Sequence, residues 1–144
     1  MGIIRRLSFS GALIGGIVAL VMTLAFVLAV GPGLARLLSF ADEMVVQGIA
    51  LLMLAILRAL GGVVAAHLAR RAGKLTTRVR GIALGLVTGT VGWALYVVVV
   101  LIFVGGSLGD GAVRLLADVV QWALECALGA MIVPLSSKTE TLAR

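Results

Sequence analysis

The chain has 144 residues, of which 62% are apolar and a further 19 are glycine, while only 12% carry charge. An ordinary soluble domain is roughly 45–50% apolar and about 25% charged. So short a chain cannot hide that much apolar surface in one water-facing core, because small domains bury only part of their surface. These numbers exclude a soluble enzyme and point to lipid as the solvent, in line with a mean hydropathy of +1.23.

The net charge of +6 does not indicate nucleic acid: the basic residues flank apolar runs and form no stripe interleaved with aromatics. A single cysteine, Cys126, and a single histidine, His67, leave no intrachain disulfide and no cysteine or histidine metal cluster. No cofactor is expected.

A spanning helix needs about 20 mostly apolar residues, and four stretches meet that requirement, at 8–30, 44–68, 81–104 and 112–135. In the first, Arg5 and Arg6 precede an apolar run as in a signal peptide. The uncharged run from Phe9 to Val30 is 22 residues, however, and signal-peptide cores are about 7–15, so it reads as an uncleaved span. Gly31-Pro32-Gly33 then reads as a loop. The second stretch contains Arg58. It is followed by a basic connection, Arg70, Arg71, Lys74, Arg78 and Arg80, without an intervening acid. The third stretch is uncharged, with Trp93 and Tyr96 well inside it as packing or lipid-facing groups. Gly105 to Gly111 is loop chemistry, and the fourth stretch carries Asp118 and Glu125 and stops near Pro134. The expected fold is an all-α membrane protein, a single four-transmembrane-helix bundle.

The halves also resemble each other. Arg36-Leu37-Leu38, Ala41-Asp42 and Val45-Val46-Gln47 match Arg114-Leu115-Leu116, Ala117-Asp118 and Val119-Val120-Gln121 with two short gaps. Duplication of a two-helix unit would give two tandem hairpins in parallel repeat; convergence of short loops on similar residues is the alternative. Lys and Arg are enriched in cytoplasmic loops. The basic connection, Arg5 and Arg6, and Lys138 with Arg144 therefore place both termini on the cytoplasmic side of a bacterial inner membrane.

Lipid offers no hydrophobic drive for helix association, so small residues must let backbones approach. The small faces are Gly11 and Gly15 on the first helix, Ala55, Ala59 and Gly62 on the second, and Gly81, Gly85 and Gly89 on the third. Ala123, Ala127 and Ala130 provide one on the fourth.

Ionisable groups inside a span cost roughly 2.5–3.5 kcal/mol at a helix centre and are functional candidates by default. The candidates are Arg58, Asp118, Gln121 and Glu125, the last three sharing a helical face with Trp122. Gln47 and Arg58 share a face of the second helix. Counted from the helix starts, Arg58 and Glu125 lie level. Counted from Gln47 and Gln121 as repeat equivalents, they are seven residues apart, about 10 Å. An internal Arg58–Glu125 pair thus competes with Arg58 snorkelling to the headgroups and Asp118 acting as a helix cap. The basic connection suits anionic lipid headgroups, equally a pure topology signal, or an acidic partner.

Gly61-Gly62 with Ala65-Ala66, the basic hairpin loop, and Gly81-x-x-x-Gly85-Leu86-x-Thr88-Gly89 together resemble a group of small four-span bacterial membrane proteins of unknown function, the YrzE-like family. The resemblance extends over residues 8 to 135. It implies the four-span architecture and carries no catalytic residues.

No nucleophile–base pair or phosphate-cradling loop points to an enzyme. The favoured function is a structural or accessory integral membrane protein, forming a homo-oligomer or joining a larger membrane complex. The alternative is a small transporter or channel using Glu125, Asp118 and Arg58.

Overall fold

The computed structural model describes residues 9–38, 42–104 and 112–135. All of its regular structure is helical: α1 (Phe9–Ala25), a π-helical turn (Phe26–Val30), α2 (Gly31–Leu37), α3 (Glu43–Arg71), α4 (Arg78–Val104) and α5 (Ala112–Ile132). Four spans are long and apolar enough to cross a membrane, at Phe9–Leu34, Glu43–Arg71, Arg78–Phe103 and Leu115–Ile132. The protein is thus an all-α four-helix bundle with membrane-spanning dimensions. The Gly105–Gly111 loop, Arg5, Arg6 and the basic tail lie outside the described residues.

Gly31-Pro32-Gly33 is not the loop its composition predicts, for the first span continues through it. Proline has no N–H, and in mid-helix its ring presses on the carbonyl four residues earlier. The π turn absorbs that defect: the Gly31 N–H reaches back to the Phe26 carbonyl oxygen. Pro32 then falls in the first turn of α2, where a missing donor costs little.

The second and third spans are each longer than the sequence pattern indicates, with specific caps at both ends of α3 and at the start of α4. Asp42 caps α3, its carboxylate accepting the Met44 N–H at 3.1 Å. At the other end Gly73 takes a left-handed φ of 67°. The Gly73 N–H donates to the Arg70 carbonyl at 2.8 Å and the Lys74 N–H to the Ala69 carbonyl at 2.9 Å. This is a Schellman ending, which a glycine best tolerates. Thr77 opens α4 by accepting the Arg80 N–H on its hydroxyl at 3.3 Å. Arg70 and Arg71 therefore belong to α3, and Arg78 and Arg80 to α4; only Lys74 sits in the connection proper.

α1 packs against α3 and α4, α5 packs against the same two, and α3 meets α4 across the bundle. The two hairpins lie side by side. The sequence correspondence between them does not extend to local roles: Asp42 is a cap, whereas Asp118 lies within α5.

Glycines set the distances. A methyl on Gly62 would run into the Cys126 carbonyl, and one on Gly129 into the Ala59 carbonyl, so α3 and α5 touch backbone to backbone. Gly85 and Gly89 bring α4 into backbone contact with Ala127 and Trp122–Ala123 of α5. Gly15 and Gly61 do the same for α1 and α3, and Gly16 meets Val91 and Gly92 of α4. Gly11 and Gly81 are also buried, while Ala55 and Ala59 are only half-buried. Gly16, Gly61 and Gly129 are packing glycines that helical spacing alone did not select.

Burial is uneven along the bundle. Among the described residues, none of α3 before Gly61, of α4 after Gly92 or of α5 before Trp122 is buried. Packing is concentrated at the end that carries the 72–77 connection. There Leu75, 1% exposed, folds back from the loop and plugs the bundle among Ala12, Ala66, Ala69, Leu84, Ala130 and Val133.

Gly62→Ala should lower stability by about 1–3 kcal/mol through overpacking, whereas Gly48→Ala, whose added carbon meets nothing within 4 Å, should be tolerated. Thermal melts followed by circular dichroism in detergent compare them. Leu75→Ala should cost about 2–5 kcal/mol, as for other fully buried leucines, seen as a lowered melting temperature in the same assay.

Candidate functional site

Halfway along α3, the Arg58 side chain turns into the bundle. Its Nη1 lies 3.2 Å from Glu125 Oε2 on α5, with the two side chains 12% and 10% exposed. Arg58 Nε points to the Thr23 hydroxyl of α1 at 3.4 Å. The guanidinium carbon stands 4.4 Å from the centre of the Trp122 ring, within cation–π range. Tyr96 of α4 leans on the same indole, with ring centroids 5.6 Å apart at 36°. One arginine therefore ties α1, α3 and α5 together, with α4 joined through the aromatic pair.

Glu125 is satisfied on both oxygens. Oε2 accepts from Arg58, and Oε1 accepts from Gln121 Nε2, one turn earlier on α5, at 2.7 Å. The neighbouring Cys126 thiol donates to the Arg58 carbonyl at 3.2 Å. Among the described residues no buried side-chain nitrogen or oxygen lacks a partner. Arg58 and Glu125 thus form a largely buried ion pair between α3 and α5, in which removing either partner would strand the other in a medium of low polarity.

The seven-residue offset inferred from the repeat is not followed, because backbone contacts set the register. Gly62 lies against Cys126. Arg58 is one turn from Gly62, and Glu125 is adjacent to Cys126, so the side chains meet with little difference in depth. Arg58 does not snorkel. Two other sequence-based assignments fail. Gln47 does not extend an Arg58 stripe: it is exposed and its Nε2 donates to Glu43 Oε1 at 3.1 Å. Asp118 is exposed on α5, seven residues before Glu125 or about 10 Å along the helix, and neither joins the cluster nor caps the helix.

Thr23, Trp122, Tyr96 and Cys126 complete the site. In the sequence Thr23 is only a small residue on the first helix, four after Ala19, and Tyr96 only a packing or lipid-facing group. Trp122 was placed on the polar face of the fourth helix, but no spacing announces its stacking on an arginine.

On the outer side of α5, Leu116, Val120, Leu124 and Leu128 border a groove of about 610 Å³ whose polar residues are Gln121 and Glu125. At the 72–77 end, the Arg78 guanidinium donates to the Met131 carbonyl in the last turn of α5. Arg80 Nη1 donates to the Thr76 hydroxyl at 2.7 Å. No group of three or more His, Cys, Asp or Glu able to hold a metal occurs among the described residues.

No protein family, curated protein or solved structure matches this chain.

Arg58→Met or Glu125→Gln should each lower stability by about 3–5 kcal/mol, the range for breaking a buried pair. Combining Arg58→Met with Glu125→Met should restore most of the loss. Unfolding titrations of the singles and the double give the coupling; losses that simply add would show that the two groups do not act as a pair.

Proposed function

We propose that this chain is a structural or accessory integral membrane protein that associates with copies of itself or with larger membrane subunits. It sits in a bacterial cytoplasmic membrane with both termini and the 72–77 connection on the cytoplasmic side. The orientation is supported by the basic residues gathered around that connection, opposite Asp42 and Glu43. An accessory role is supported above all by the Arg58–Glu125 pair, which joins α3 to α5 and is braced by Gln121. A polar contact between helices of this kind is suited to holding them in register.

The uneven packing adds to this. Beyond Gly61 and Trp122, toward the far end of the bundle, α3 and α5 bury none of their described residues. Their apolar side chains, including Leu51, Leu52, Leu116 and Val120, are exposed and open to lipid or a neighbouring helix. The YrzE-like glycine pattern agrees with a small four-span protein of this type and assigns it no chemistry.

The second reading, a small transporter or channel, draws on one observation: Glu125 both pairs with Arg58 and lines the α5 groove. Asp118 stands apart from that cluster, which weakens the proposed route.

Native mass spectrometry after gentle extraction separates the two. Fixed stoichiometry with larger subunits, or a defined oligomer that Gly85→Leu dissolves, is the result expected of an accessory protein. A chain that recovers alone and drives a flux in proteoliposomes, abolished by Glu125→Gln while the fold survives, would establish the transporter instead.

A further inference from the structure

The two faces of α5 carry different patterns. Trp122, Cys126, Gly129 and Ala130 are buried against the bundle. On the opposite face Ala117, Gln121, Leu124, Leu128 and Met131 follow one another at intervals of four, three, four and three residues. That spacing is the seam of a left-handed helix pair, the prevailing geometry of helix contacts in membranes. None of these seam residues is buried: Leu124 and Leu128 are 54% and 62% exposed, and Gln121 is half-buried.

Gln121 distinguishes this seam from an ordinary lipid-facing surface. Its Nε2 donates one hydrogen to Glu125 Oε1 at 2.7 Å, and no described residue engages the second hydrogen or the Oε1 acceptor. The amide lines the outer groove with Leu124 and Leu128, six residues or roughly 9 Å inside the end of the span at Leu115. Hydrocarbon offers it no hydrogen bond, so its spare donor and acceptor call for a polar partner at that depth. By contrast, the exposed Thr90 hydroxyl of α4 is closed on its own helix, donating to the Leu86 carbonyl at 2.9 Å.

We infer that this face of α5 is the contact surface for a second copy of the chain, in a parallel twofold pair. The inference rests on the self-association named in the proposed function and supplies its interface. An amide with one spare donor and one spare acceptor is complementary to itself. Copies inserted in the same orientation are related by an axis along the membrane normal, so a residue near that axis meets its own counterpart at its own depth. The two Gln121 amides then exchange hydrogen bonds, while Leu124, Leu128 and Met131 pack on their counterparts. A single polar residue in such a seam also fixes the register of the pair. The flanking carboxylates do not oppose it: across a parallel pair the heptad sets Glu125 beside Val120 and Asp118 beside Val113.

Disulfide crosslinking of the full chain in membranes, with copper phenanthroline as oxidant, tests this. The wild type, whose single cysteine, Cys126, is buried, is the blank. Leu124→Cys, Leu128→Cys and Met131→Cys should each give linked homodimers. Thr90→Cys should not, although it is exposed at nearly the same depth, since the adjoining Gly89 meets Trp122 and Ala123. Adding Gln121→Leu to Leu124→Cys should raise the chain-to-lipid ratio needed for half-maximal linkage by about fivefold, the factor for about 1 kcal/mol of interhelical hydrogen bonding. Equal linkage at Thr90, or a half-maximal ratio that Gln121→Leu leaves in place, would overturn the assignment. Linkage of the α5 cysteines to a larger protein instead of a second copy would also overturn it, while leaving the accessory reading standing. A chain that stays single at every dilution and carries a flux would overturn both.

Discussion

Where α3 crosses α5, Gly62 rests on the Cys126 backbone and Gly129 on that of Ala59. In a lipid environment apolar side chains gain nothing by leaving solvent for one another, so association depends on close packing and internal polar contacts. Both are decided at this crossing. The missing side chains let the helices touch at their main chains, and that contact sets how far each has slid along the other. Glu125 consequently arrives beside Arg58, and the Cys126 thiol faces the Arg58 carbonyl. The charged layer is possible because the glycines come first in the causal order.

The layer in turn explains why two ionisable residues are tolerated in spans otherwise this apolar. Arg58 uses its planar, multi-donor head to engage a carboxylate, a hydroxyl and an aromatic face at once. A lysine, with a compact ammonium, could not present the same flat surface to Trp122 while binding Glu125 and Thr23. The arrangement converts two costly residues into a contact shared by three helices, and it leaves Gln121 to occupy the remaining carboxylate oxygen.

The architecture was legible in the sequence because it depends on run length and charge, which lipid reads directly. The four spans, and Gly15, Gly62, Gly85 and Gly89 as contact residues, all follow from local pattern. What the pattern could not provide was partnership. Gly62 announces a close approach but not that Cys126 fills it, so the depth of Glu125 relative to Arg58 was undetermined, and the repeat register placed it too far away. The Gly-Pro-Gly segment misled for a different reason. These residues break helices in water, yet a π turn one step earlier keeps the chain helical through them. Asp118 resembled Asp42 in its neighbours, but a residue's role as a cap depends on where the helix begins, which its neighbours do not encode.

The concentration of buried residues near the 72–77 connection has a mechanical consequence. A bundle drawn tight by glycines and plugged by Leu75 at one end, and loosely packed at the other, has ends of unequal cohesion. Local opening costs least where few groups are buried, so the helices part first at the end away from Leu75.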